Sequence, residues 1–199
     1  DDSEIKAVIL AGAGDRGFCA GADLTEFGSA PSQVIARQIR WERDLWGLFL
    51  ELPQPLVCAL HGHVIGSGVE MAMLCDLRVA ADDAMFSMPE IRLGMIPAAG
   101  GTQTMARNIG IPLALDMLLL QRKITALEAR KTGMVHRVVP RGKLEQESLD
   151  LANSLAKKDV SLLHAYKAAL RRGSELSLSQ GLGLEERLNL QSWHRARGS

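Results

Sequence analysis

The sequence predicts an α/β fold, on three observations. Short apolar runs of strand length alternate with longer segments whose apolar residues recur at helical spacing. Glycines, prolines and capping residues stand at the junctions between them. The chain has 199 residues, 47% apolar and 23% charged, enough for one sizeable core in an ordinary globular composition. Strands alternating with helices indicate parallel βα units.

Residues 6–11 (KAVILA) form the first apolar run and are followed by a glycine-rich loop through Leu24. From Pro31 to Leu52, Val34, Leu45, Leu48 and Leu52 recur at roughly helical spacing, so one helix is expected there, ended by Pro53. Residues 55–60 (PLVCAL) predict a second buried strand, and Gly62, Gly66 and Gly68 punctuate the turn after it. Val69 to Leu77 predicts an apolar helix, residues 78–81 a strand, and residues 85–88 a short extended piece closed by Pro89. The stretch 94–102 (GMIPAAGGT) predicts a loop, with helices from near Thr102 and over 113–120. Thr125 and Glu128 make a capping box that opens a further helix, and Gly133 ends it. Residues 134–139 return as a strand, and 143–158 and 160–172 are helical.

Lysines plus arginines equal aspartates plus glutamates, so the formal net charge is zero. That argues against non-specific binding to nucleic acid or to an anionic membrane. Cys19, Cys58 and Cys75 are widely spaced and contain no CxxC pair, which fits buried thiols better than disulfides or a zinc site. No metal site is expected. No apolar run reaches the roughly 18 residues of a membrane span, and no targeting segment is visible. The chain opens Asp1-Asp2-Ser3 and is in a strand by Lys6, as expected of part of a longer protein. Gly12, Gly14 and Gly17 match a GxGxxG fingerprint after a strand, but no helical period follows. The dinucleotide reading fails for that reason.

Two carboxylates carry the chemistry. The segment His61 to Glu70 runs from a strand through glycines into a helix, a junction that aims backbone N–H groups and a positive helix end at one point. A developing oxyanion needs such donors. Glu70 falls in the first helical turn, and Glu90 follows Pro89 in a loop. Two such groups near one electropositive pocket suit acid/base handling of water or of an α-proton. A competing expectation is purely structural: Ser67 to Glu70 spells S-x-x-E, a capping box in which Glu70 reaches back to the Ser67 N–H.

Five motifs then resemble the crotonase (enoyl-CoA hydratase/isomerase) superfamily. Phe18 to Leu24 is similar to its FCAGADL loop. Pro53, Pro55, Ala59 and Gly62 resemble its PxPxIAAxxG strand, and Gly66, Ser67, Gly68, Glu70, Ala72, Cys75 and Asp76 its GGGxELAxxCD helix start. Phe86, Pro89 to Ile91, Leu93, Gly94, Ile96, Pro97 and Gly100 to Gln103 resemble FxxPEIxLGxxPGxGGTQ. Ala126, Glu128, Ala129, Gly133 and Val135 resemble AxEAxxxGLV. The chain departs from the family at Ser67, where the middle glycine would stand, and at Ala98 and Ala99, which replace its usual glycine spacing.

The resemblance implies a spiral of repeated ββα units over residues 1–140, without the family's usual amino-terminal portion, and a helical oligomerisation region over 141–199. It implies a coenzyme A thioester as substrate and no separate cofactor. The Ala22 and Ser67 N–H groups would form the oxyanion hole. Ala20, Ala22, Asp23, Leu24, Gly66 and Gly68 would contact the substrate. Glu70 and Glu90 would add water to a 2,3-unsaturated thioester. Homotrimers or hexamers are expected, in a bacterial cytoplasm or the mitochondrial matrix, with no nucleic-acid or membrane partner. Other chemistries on the same fold (isomerisation, hydrolysis, C–C cleavage, decarboxylation) and a non-catalytic binding subunit are the alternatives. Alanine at position 98, where a dienoyl-CoA isomerase-like member carries an acid, argues against that isomerase. His61 and His63 are expected in a polar turn, and the methionines in the core or acyl pocket.

Overall fold

The computed structural model describes residues 2, 4–26, 28–42 and 44–197. Two four-stranded sheets share the core. The first contains β1 (Val8–Ala11), β3 (Leu56–Leu60), β5 (Leu77–Ala81) and β8 (Arg137–Val139), all parallel in that order. The second contains β2 (Gly17–Cys19), β4 (His63–Ile65), β6 (Met85–Ser87) and β7 (Ile124–Thr125); the first three run parallel and β7 antiparallel. The chain visits one sheet, then the other, then a helix, and repeats. The expected spiral of ββα turns is therefore present.

Strand β3 shows why the runs bury. All five of its residues are at most 4% exposed. Leu56, Cys58 and Leu60 face the main core, while Val57 and Ala59 face Val79, Ala81, Leu144 and Ala152 on the other side. A two-sided strand reads as a continuous apolar run, because the period-2 alternation has no polar face to mark it. Helix α7 (Leu144–Ala156) supplies that second cover.

Helices α1 (Gln33–Glu42) and α2 (Leu45–Glu51) replace the single helix expected over residues 31–52. Asp44 divides them: its carboxylate accepts the Gly47 N–H at 2.9 Å and caps α2. Spacing does not reveal the break because Leu45, Leu48 and Leu52 all lie in or at the end of α2, and Val34 alone carries the pattern into α1. Helix α3 (Ser67–Leu74) stops before β5, so Leu77 belongs to the strand. Helices α4 (Gly101–Ile109), α5 (Ile111–Leu118) and α6 (Ala126–Lys131) follow, the last with the expected capping box and with Gly133 at φ +80° beyond it. The glycine-rich stretches hide β2 and β4, each three residues long, which is too short for periodicity to register.

Two charged clusters lock the spiral to its surroundings. Arg78 is 5% exposed. Its guanidinium donates to the Met134, Cys75 and Ala72 carbonyls and to Asn108 Oδ1. It thereby caps the C-terminal end of α3, where the helix dipole favours a cation. Asp76 accepts Lys167 Nζ at 2.7 Å and Arg171 Nη2 at 2.9 Å, from α8 (Val160–Gly173). Arg171 also grips the Phe49 and Leu50 carbonyls at the end of α2. Helix α9 (Leu178–Arg197) packs on α8. The three thiols are free; Cys58 and Cys75 are buried, and Cys19 is half-buried.

Candidate active site

Strands β2, β4 and β6 are parallel neighbours, so all three end on one edge of the second sheet. The segments leaving that edge carry every residue of interest. Ala22 follows β2, Ser67 and Glu70 follow β4, and Glu90 follows β6. The carboxyl edge of parallel strands is where α/β folds place their sites, because the loops there diverge around a crevice.

Gly66 is the pivot. Its φ of +53° turns the chain from β4 into α3, and its N–H donates to the Ser87 carbonyl at 2.9 Å. A methyl group on Gly66 would stand 2.6 Å from Glu90 Oε1 and 3.8 Å from the Gly21 Cα. The first loop, the helix start and Glu90 therefore meet at one point. The N–H groups of Ala22 and Ser67 have no partner among the described residues. Ser67 is the first residue of α3 and Gly66 its N-cap, with no side-chain capping bond.

This geometry overturns the capping-box expectation. Glu70 does not reach back to Ser67. Its Oε1 accepts the Ala99 N–H at 2.9 Å and the Gly101 N–H at 2.8 Å, and the residue is 2% exposed. Two main-chain donors, one of them at the start of α4, fix the position of the carboxylate. Glu90 is half-buried in the 3-10 turn Glu90–Leu93, and its Oε2 is enclosed with no hydrogen-bond partner among the described residues. Burial pushes the Glu90 carboxyl above its usual range; its own N–H offsets part of that, and the Glu70 charge raises it further. The two glutamates are thus electrostatically coupled across one site, twenty positions apart in sequence.

The remaining expected residues divide by environment. Asp23 is exposed, and its carboxylate holds the Thr25 N–H and hydroxyl at 2.9 and 2.7 Å. Leu24 is 55% exposed, and Ala20 is exposed too. Gly68 packs against Cys19, where a methyl would meet the Cys19 carbonyl oxygen at 2.8 Å. His61 is buried, with Nε2 3.1 Å from the Gly14 carbonyl, and burial lowers its pKa. His63 is exposed on β4. The main-chain donors of Ala99 and Gly101 escaped the sequence reading. Their only signal was the paired glycine ahead of α4. A methyl on Gly101 would meet Pro97 Cβ at 2.8 Å and Glu70 Oε1 at 2.9 Å.

A cavity of about 1360 Å³ opens beside the loop Ala98–Gly100 and reaches to α1 and α2. A smaller apolar one of about 360 Å³ runs from Glu90 between α4 and α5. No group of three or more His, Cys, Asp or Glu among the described residues could hold a metal.

Residues 1–197 match the family model for enoyl-CoA hydratase/isomerase. The chain belongs to this family. The 2,3-dehydroadipyl-CoA hydratase of Escherichia coli strain K12 is a similar member, 38% identical over 94% of this chain and 72% of its own length. The mitochondrial enoyl-CoA hydratase of Pongo abelii is 32% identical over 94% of this chain and 64% of its own. Among solved family structures, an enoyl-CoA hydratase from Bacillus anthracis superposes with a TM-score of 0.88 and 34% identity, over 94% of this chain and 73% of that one. No described helix is long and apolar enough to cross a membrane.

Proposed function

We propose that this chain is an enoyl-CoA hydratase, adding water across the 2,3 double bond of an acyl-CoA thioester through Glu70 and Glu90. The observation that carries the reading is the paired, unequal state of the two carboxylates. Glu70 is held by two N–H groups from another loop, whereas Glu90 has only its own N–H, leaves Oε2 without a partner among the described residues, and has its carboxyl pushed upward. Family membership and the names of its relatives support the same reaction.

The division of labour follows from those environments. Glu70 takes a proton from water as the oxygen bonds to the β-carbon. The thioester oxygen gains charge, and the Ala22 and Ser67 N–H groups receive it. Two preorganised donors are worth most where charge develops, because they need no reorganisation during the step. The proton taken from water passes to Glu90, whose raised carboxyl favours holding it, and Glu90 delivers it to the α-carbon, which leaves both glutamates as they began. Ala20, Asp23, Leu24, Gly66 and Gly68 line the approach of the coenzyme A portion, and no separate cofactor takes part.

Assembly as a homotrimer or a hexamer belongs to the same proposal. Ile91, Ile96, Ile111, Leu115 and Leu119 are exposed around the smaller cavity, as are Leu182, Leu190 and Trp193 on α9. Apolar area of that extent favours cover by another copy.

The test follows loss of the conjugated thioester absorbance with a short 2-enoyl-CoA. Glu70→Gln and Glu90→Gln should each lower turnover by about 10²–10⁴, with KM little changed. Full hydration rates in either variant would assign the chemistry elsewhere.

A further inference from the structure

Helices α3 and α4 pack together. On α4, Gly101, Met105 and Asn108 lie at steps of four and three residues, so they share one face. Gly101 and Met105 are buried. At the start of that face the Gly101 N–H holds Glu70 Oε1 at 2.8 Å. At its far end, about 10 Å along the helix axis, Asn108 Oδ1 accepts Arg78 Nη2 at 3.0 Å. The same guanidinium donates through Nη1 to the Cys75 and Ala72 carbonyls, at the end of α3, at 2.8 and 3.4 Å. The two helices are therefore joined twice, once directly through Glu70 and once through Arg78.

The second join is held firmly at both of its ends. The Arg78 N–H donates to His136 Nδ1 at 3.0 Å, and the His136 N–H returns to the Arg78 carbonyl at 2.9 Å. Arg78 Nε donates to the Met134 carbonyl at 2.6 Å, so the chain ahead of β8 fixes the cation. On the other side, Asn108 Nδ2 donates to the Thr104 carbonyl at 2.8 Å, which holds the amide with Oδ1 toward Arg78. The Met134, Cys75 and Ala72 acceptors are main chain and would be there whatever side chains those positions carried. The acceptor on α4 depends on one side chain, Asn108.

We propose, resting on the hydratase reading, that Arg78 and Asn108 are positioning residues for hydration. They fix the far end of α4, so that its first turn keeps the Gly101 and Ala99 N–H groups on Glu70. A helix pinned only at its start can pivot there, and the donors move with it. A helix pinned at both ends holds them still, and catalysis depends on geometry at the scale of an ångström.

The experiment compares Asn108→Leu, which keeps the bulk and removes the acceptor, with Asn108→Asp, which keeps an oxygen for Arg78. With crotonyl-CoA, Asn108→Leu should lower kcat about tenfold at nearly constant KM, less than the roughly 10² that a 1 Å misplacement costs. Asn108→Asp should restore kcat to within about twofold of the wild type, since a carboxylate accepts from a guanidinium at least as well as an amide does. Thr125→Ala is the control, because it weakens the fold away from the site. A merely structural role for Asn108 would likewise lower the melting temperature and leave kcat alone. Unchanged kcat in Asn108→Leu overturns the proposal, and so does a loss that Asn108→Asp fails to restore. Should Asn108→Leu not fold, Asn108→Ala takes its place with the same expectations, as alanine adds no bulk and favours the helix. If the wild type does not hydrate crotonyl-CoA, the hydratase reading fails, and amide hydrogen exchange then decides the positioning role without turnover. Exchange at Ala99 and Gly101 should quicken on the order of tenfold in Asn108→Leu and return in Asn108→Asp. Unchanged exchange at those two amides overturns the role.

Discussion

At neutral pH the Glu90 carboxylate works against the fold. Its carboxyl is raised above the usual 4.5, first by burial and then by the Glu70 charge. A raised carboxyl binds its proton more tightly in the folded state, so its favourable contribution is complete below pH 4.5 and is lost as pH rises through the folded value. Glu90→Gln removes a group that is charged and poorly compensated at pH 7. Its melting temperature should therefore exceed that of the wild type at pH 7–8, and the gap should close below pH 4.5. A melting series across that range checks this, and a constant gap would deny the coupling. Ser67 gives the opposite kind of test. Its side chain makes no capping bond, and the proposed role lies in its N–H. Ser67→Gly should keep most of the hydration rate at a stability cost of no more than about 1 kcal/mol. Loss of activity in a folded Ser67→Gly protein would give the hydroxyl a role and move a hydrolytic chemistry ahead. Neither result could be anticipated from S-x-x-E alone, because the motif is identical whether Glu70 turns back to its own helix or outward to residues 99 and 101.

Helix α4 begins where Glu70 needs it. Gly101 has no room for a side chain, with Pro97 on one flank and the Glu70 carboxylate on the other. Gly101→Ala should displace that carboxylate, and a misplacement of about 1 Å can cost roughly 10² in turnover. Steady-state kinetics should show kcat falling with KM nearly constant. Thr125→Ala, which breaks the α6 capping box away from the site, should lower the melting temperature by about 2–4 °C and leave turnover alone. Elements with their own local signals were legible: β3 as an apolar run, α6 from Thr125 and Glu128, the end of α6 from Gly133. Those that exist only through pairing were not. β2 and β4 are three residues each, and what makes them strands is the parallel register Gly17 to His63 and Cys19 to Val64.

At the scale of the whole molecule, the exposed Ile96, Leu119, Leu190 and Trp193 predict self-association. Light scattering at micromolar concentration should give a mass that is a multiple of this chain's 21.6 kDa, with three or six copies expected. A strictly monomeric mass would count against it. The sequence by itself determined the α/β class and, through five motifs, the family and the two glutamates. Those features are local: burial pattern, glycine turns and residue order are written along the chain. Only the tertiary structure decided what the glutamates do with their charge. Glu70 finds its donors 29 and 31 positions away, and Glu90 lies against Gly66 across two strands. Hydrogen bonds and desolvation depend on distance in space, and parallel strands bring together at one edge segments that the chain keeps far apart.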